Sequence, residues 1–577
     1  MTTEYVKDSN AALFASLSEP EALNLASPQN YIPLYGRLFD LTPSNSRNLN
    51  LPYSLRITEA ASTSAPLEFQ AKVADQNSVQ KDVVIFFKLS PLLDPLRYIT
   101  GRYDIADPSL FSLPGLEGAP CHRKLTDPNN SAYVDGFFCY LCSILRHKHR
   151  FVNAIDSYGS FLAVRRGFVV DVAEDLDHLA SSDFFAEHEG NLFEFDDAAR
   201  AHFSRGLGTG RRKSPIKLEG ALDVAETEDI GASAGDLDSI FTPAGPPEAP
   251  GLEIVFESQN GCGPAKKRSM DRRSSECSSR SSGTDGSGSA CDDPVSEGSD
   301  VGSAETGSDA GTISSIGEEA CNLVLKSFPV QCIALERCEA TLDALMLQKK
   351  LSPAEWESAM FQVIASLWVY NRCFRLTHND LHTNNIMYVN TDKQYVLYKI
   401  GGCHYKVPTF GRIFKIIDFG RAIYEYAGRR MCSDSYHKKG DAATQYNCEP
   451  YLNPRRPRLE PNPSFDLCRL GCALYDFLMD EYSNSEFSLP AVVEMITGWC
   501  TDDKGRNVMY KSTGEERYPD FKLYKMIVRT VHKHTPSAAL ETPCMQRYVV
   551  ARSSLGRKAR IMNLDAIPTY SPAPGDS

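Results

Sequence analysis

At 577 residues the chain exceeds what one compact core ordinarily holds, which implies two or more lobes plus additional segments. Its 42% hydrophobic content, with 28 Phe and 26 Tyr, is ample for a globular core, and a net charge of −13 argues against nucleic-acid binding driven by bulk charge. Seventeen cysteines, odd in number and irregular in spacing, indicate reduced thiols and not a disulfide framework.

The opening Met1-Thr-Thr-Glu-Tyr-Val-Lys-Asp8 has neither a basic n-region nor an apolar h-region, so no secretory signal is expected. No run of about eighteen apolar residues occurs, and no membrane partner is expected. These features suit an intracellular, cytoplasmic protein.

Residues 1–30 read as an N-terminal extension, and a β-rich part follows over 31–203. Within it, Asp82-Val-Val-Ile-Phe-Phe-Lys88 is a continuous apolar run ending in lysine, the pattern of a strand buried on both faces. Tyr133 to Leu145 carries apolar residues at helical spacing. Cys139 and Cys142 on that helix have no second pair at metal-ligand spacing, so they read as core thiols.

Composition then changes abruptly. Between Ser274 and Ala320 stand 14 Ser, 8 Gly and 10 acidic residues in 47 positions, with one basic residue and no aromatic. Such a stretch cannot bury enough apolar surface to offset the entropy of ordering, so residues 204–320 are expected to be a disordered insertion. Two basic clusters lie in it, Arg211-Arg-Lys213 and Lys266 to Arg273. Solvated charge accounts for both, and the cluster at 266–273 also has the form of a nuclear import signal.

Order resumes at Cys321, and 321–340 read as a strand followed by a connection. Ser352-Pro-Ala-Glu355 has the form of a helix start, with Ser as N-cap, Pro in the first turn and Glu closing a capping box. Apolar residues from Trp356 to Tyr370 continue it at three- and four-residue spacing, so Trp356 reads as packing. Residues 341–552 form the larger helical part, and 553–577 read as a flexible tail. Within the larger part, Tyr395–Ile400, a Gly401-Gly402 turn and His404–Val407 make a hairpin.

The segment Leu376-Thr-His-Asn-Asp-Leu-His-Thr-Asn-Asn385, followed by Phe414-Lys-Ile-Ile-Asp-Phe-Gly-Arg421, carries the chemistry. It sets His378, Asp380 and Asn385 in H-x-D-L-x-x-x-N, then Asp418, Phe419 and Gly420 in D-F-G. Phosphoryl transfer needs a carboxylate to take the proton of the attacking hydroxyl, and an amide oxygen and a second carboxylate to hold Mg²⁺ against the phosphates. Asp380 and Asn385, five apart, suit the first two roles; Asp418 suits the third. Ser464-Phe-Asp-Leu-Cys-Arg-Leu-Gly471 is similar to a D-x-W-S-x-G helix start, in which Asp466 bonds backbone amides of the loop from beneath.

On these motifs the chain resembles the protein-kinase superfamily over roughly residues 31–203 and 321–550. In detail it resembles the divergent serine/threonine kinases of large nucleocytoplasmic DNA viruses, including iridovirus-type proteins. That likeness rests on Thr377 to Met387, Tyr405 to Arg412, Lys415 to Ala422, Phe86 to Asp94 and Gly440 to Tyr446. The resemblance implies an α+β, bilobal protein-kinase-like fold, with a small β-rich N-lobe interrupted by the insertion and a larger helical C-lobe. It implies ATP and Mg²⁺ as cofactors, proteins as acceptors and transfer to Ser/Thr. Lys88 would grip the phosphates, Leu335 would take the gatekeeper position, and the backbone from Glu336 to Cys338 would meet the adenine edge.

The chain also departs from the pattern. No G-x-G-x-x-G precedes Lys88; the region offers only Tyr35-Gly-Arg-Leu-Phe-Asp40 and a polar loop near Pro43–Asn48. Asp135 stands where the helix should offer Glu. Asn379 replaces the Arg before the catalytic Asp, which argues against switching by activation-segment phosphorylation. His382 occupies the usual position of a Lys facing the γ-phosphate, and Arg421 is either a substitute cation or a surface salt bridge. Two alternatives therefore stand beside the kinase: a pseudokinase scaffold presenting the acidic insertion, and a small-molecule phosphotransferase on the same fold.

Overall fold

The computed structural model describes residues 5–196, 200, 321–482 and 488–571, apart from Tyr53, Gln76, Glu117 and Ala119. The architecture is mixed α/β, with a curled antiparallel sheet. In chain order the sheet comprises β1 (Leu25–Gln29), β2 (Arg56–Ser62), β3 (Glu68–Ala74), β4 (Gln80–Pro91), β5 (Ser157–Asp171), β6 (Phe193–Phe195) and β7 (Asn322–Glu336). Its spatial order is β1-β5-β7-β4-β3-β2, with β6 added on β7. β1 lies before residue 31, so the sheet takes in part of the segment expected to be an extension.

β4 corrects one expectation. Ile85, Phe87 and Leu89 are buried, whereas Val84 is 42% exposed and Phe86 only half-buried. The strand therefore alternates. One face fills the core, and the other is covered only toward its Lys88 end, where helix α1 (Ser131–Lys148) packs and supplies Asp135. Cys139 and Cys142 of α1 are buried thiols in this core.

The helical part is organised around α2 (Pro353–Phe374), which starts at the Ser352–Glu355 capping box and whose Trp356 is fully buried. After it come β8 (Ile386–Asn390), the hairpin β9 (Tyr395–Ile400) and β10 (Cys403–Pro408), and β11 (Arg412–Ile416), which pairs with β8. Gly401 and Gly402 turn the hairpin with φ of 58° and 81°, a conformation that favours glycine at both positions. α3 (Phe465–Tyr482), α4 (Ala491–Trp499) and α5 (Lys522–Thr530) follow. Gly471 lets α3 approach α4, since a Cβ there would lie 2.9 Å from the Ile496 carbonyl oxygen. Beyond residue 553 the chain is still engaged: Met562–Asn563 pairs with β9, and the buried Tyr570 ring stacks on Phe374. No helix among the described residues is long and apolar enough to cross a membrane.

The expected disordered insertion, with its basic clusters, lies outside the described residues. Its flanks do not: Phe195 pairs with Leu323, and the Asp196 N–H donates to the Asn322 carbonyl at 3.1 Å. Because the flanks already meet, replacing 204–320 by a short Gly/Ser linker is expected to leave the thermal transition unchanged. Differential scanning calorimetry checks this, and a large fall in melting temperature counts against it.

Candidate active site

The loop from Leu376 to Asn385 is held from below. The Asp466 carboxylate, buried at the start of α3, accepts the backbone N–H groups of His378 and Asn379, both at 2.9 Å. His378 Nε2 meets the Ile417 carbonyl at 2.9 Å, which makes that nitrogen the donor. The Ile417 N–H in turn donates to the Asn385 carbonyl at 3.0 Å. Ile417 thus sets Asp418 beside the loop, although 33 residues separate it from Asn385. Asn379 and Asp418 both have positive φ, 69° and 60°, a conformation unfavourable for a residue with a Cβ and typical of functional turns.

Asp380 and Asn385 face each other across this loop. The Asn385 amide nitrogen donates to the Asp380 carbonyl at 2.8 Å and to His382 Nε2 at 3.0 Å. With both its hydrogens used, its oxygen remains to accept, the character a cation requires. His382 accepts at Nε2 and so carries its proton on Nδ1. Burial holds its pKa down to about 4, with Arg469 and His378 reinforcing the shift against Asp380. Burial pushes the Asp380 carboxyl up, but Arg421, His382 and Arg469 outweigh it and bring the pKa below the usual carboxylate value.

Lys88 projects from β4 between two carboxylates, 2.8 Å from Asp135 and 3.0 Å from Asp418. Burial opposes its charge, yet the two acids raise its pKa. Burial pushes the Asp418 carboxyl up, but Lys88 outweighs it and holds the pKa below the usual carboxylate value, whereas at Asp135 burial wins and the pKa is raised. Asp135, one methylene shorter than Glu, reaches Lys88 and also accepts the Phe419 N–H at 2.8 Å. Phe419 is fully buried, 4.4 Å from the Phe138 ring of α1 and 5.4 Å from His378. Gly420 donates its N–H to Asp418 at 3.3 Å. Two carboxylates on one ammonium leave net negative charge here. Asp418 and the Asn385 oxygen are hard donors of the kind that hold Mg²⁺ together with phosphate oxygens, so the absence of a three-residue His/Cys/Asp/Glu cluster among the described residues does not conflict with that fit.

The remaining candidates sit around this centre. Leu335 is cross-strand from Phe86, a residue the sequence pattern did not single out, and Phe86 shares the Lys88 face of β4. The Glu336 N–H donates to Asp156 at 3.0 Å, so only the rest of the Glu336–Cys338 backbone remains for a ligand. Glu336 instead places its carboxylate 2.6 Å from the buried Lys415 ammonium. Burial pushes the Cys338 thiol up to about 12.

Arg421 is not a surface salt bridge. It is 13% exposed and pairs with Asp441 at 2.5 Å and Asp380 at 3.7 Å, because the chain folds back over it. Asp434 of the same segment binds Lys124 at 2.8 Å and the Ser131 N–H at the start of α1 at 3.0 Å. Neither Tyr35-Gly nor Pro43–Asn48 forms the hairpin that precedes Lys88; the β2–β3 pair does, through the glycine-free turn Thr63-Ser-Ala-Pro-Leu67. Its period-two pattern, with Phe69, Ala71 and Val73 buried, was available in the sequence but is diluted by Ala and Thr.

No family model matches this chain, and no curated protein sequence does either.

Proposed function

We propose that the chain is an ATP·Mg²⁺-dependent protein kinase with a bilobal protein-kinase-like fold, acting on Ser/Thr hydroxyls. The observation that carries this reading is Lys88 held between Asp135 and Asp418 while Ile417 ties Asp418 to the loop of Asp380 and Asn385. In it, Asp380 orients the acceptor hydroxyl and takes its proton, and Lys88 binds phosphate oxygens as a point charge. Asn385 and Asp418 would hold Mg²⁺, which supplies neutralisation of phosphate charge when bound.

Two observations favour a second reading, the pseudokinase scaffold. The turn Thr63–Leu67 lacks the glycines that let backbone amides close on phosphates, and Phe86 adds bulk opposite Leu335. The test is purified full-length protein with labelled ATP and Mg²⁺, offered acidic and basic proteins and a panel of small alcohols and amines. Label on Ser/Thr of protein supports the kinase; label only on small molecules makes it a small-molecule phosphotransferase. No transfer at all favours the scaffold.

A further inference from the structure

The Asp380 side chain has a partner from far along the chain. Tyr524, in the first turn of α5, brings its hydroxyl to 3.2 Å from Asp380 Oδ1. That hydroxyl is 2.7 Å from Nε of Arg469, on α3 three residues after Asp466. Both side chains are buried, Tyr524 at 2% and Arg469 at 3% exposure, and the guanidinium also lies 5.2 Å from the centre of the Tyr524 ring.

The chemistry gives this chain of contacts a direction. A guanidinium only donates, so the Tyr524 oxygen must accept from Arg469. Its own proton is then directed outward, and the nearby acceptor is the Asp380 carboxylate. A buried hydroxyl locked in this way has little orientational freedom. We propose that Tyr524, oriented by Arg469, is a positioning residue that fixes Oδ1 of Asp380 and so aims Oδ2, which lies 3.7 Å from Arg421 Nε, at the acceptor hydroxyl.

The proposal rests on the kinase reading for its rate effects and on geometry alone for the contact. His382 is neutral, and cationic support for Asp380 comes through Tyr524 from Arg469 and directly from Arg421. The groups around Asp380 are His378 and His382 of its own loop, Arg421 after the D-F-G, Asp466 and Arg469 of α3, and Tyr524 of α5. Burial raises the Tyr524 phenol above its usual value, so it stays protonated and able to donate.

The test compares full-length wild type with Tyr524→Phe, which keeps the ring and removes only the hydroxyl, and with Arg469→Lys, which keeps the charge. Tyr524→Phe is expected to lower kcat about tenfold, as for loss of a hydrogen bond to a charged group, with KM for ATP unchanged. Arg469→Lys should show the same kcat loss at smaller size, again with KM for ATP unchanged. Wild-type kcat in Tyr524→Phe would overturn the proposal, as would equal losses in kcat and ATP binding. If wild type itself transfers no phosphate, the kinase reading falls. The Tyr524 hydroxyl proton, followed by ¹H NMR and assigned by its absence in Tyr524→Phe, then decides alone: slow exchange with solvent that is lost in Asp380→Ala supports the contact, and exchange unchanged by that substitution removes it.

Discussion

Asp418→Asn is expected to abolish phosphoryl transfer while leaving the fold intact. The substitution is nearly isosteric, and its remaining oxygen can still accept the Gly420 N–H. What disappears is a full negative charge 3.0 Å from Lys88. With Asp418 neutral, Asp135 alone balances Lys88 and the centre no longer carries the net negative charge that would draw Mg²⁺.

At neutral pH the fold should persist with a modest loss of stability, because the change gives up the Lys88–Asp418 attraction while it relieves repulsion between Asp418 and the buried Asp135. The sign of the pH dependence follows from the lowered Asp418 pKa. An ionised Asp418 contributes stability above its usual value of 3.8, and that contribution is lost as pH falls through the lower folded value. Two measurements check the prediction: labelled-ATP turnover, and the rise in melting temperature that ATP with Mg²⁺ produces in wild type. Turnover above a few per cent of wild type, or an undiminished Mg²⁺-dependent rise, would remove the metal assignment.

Asp380→Asn is expected to lower kcat by roughly 10²–10⁴-fold, the range typical of a general base, with little change in ATP affinity. Asn keeps an acceptor for the Tyr524 hydroxyl but cannot take a proton. Turnover equal to wild type, or a loss confined to ATP binding, would make the scaffold the better account of these loops.

His382→Ala should cost less, since His382 touches the site through the Asn385 amide at 3.0 Å. Lysine at 382 would restore a cation, but its ammonium would meet the Asn385 NH₂ donor with another donor, and Asn385 would have to turn away from the Asp380 carbonyl. We therefore expect His382→Lys to raise the Mg²⁺ concentration needed for half-maximal rate. With a pKa near 4, His382 should add no limb to the pH–rate profile between pH 5 and 8. Its effect on stability has a definite sign. Below its ordinary value of 6.5 the unfolded chain takes up a proton that folded His382 refuses until about pH 4, so stability declines across that window and is unaffected above it.

Local spacing made much of the molecule legible. Ser352-Pro-Ala-Glu355 specifies a helix start because capping involves atoms three residues apart, and two adjacent glycines specify the Tyr395–Pro408 hairpin because a tight turn needs positive φ. The loop at 376–385 was legible for the same reason: its chemistry is written within ten residues. Other features depend on which distant segments meet. β2 and β3 are rich in Ala, Thr and charge, so they take strand form from their neighbours in the sheet and not from a strong pattern of their own. Leu25–Gln29 and Tyr570 join the fold through contacts at long sequence separation, which composition cannot register. Whether Asp135 could reach Lys88 depended on how closely α1 packs on β4, and one methylene is too small a difference for sequence to decide. Tyr524 and Arg469 are the extreme case. A tyrosine in an ordinary amphipathic helix and an arginine among apolar residues carry no motif, and only the packing of α5 on α3 brings them to Asp380, 144 residues from Tyr524.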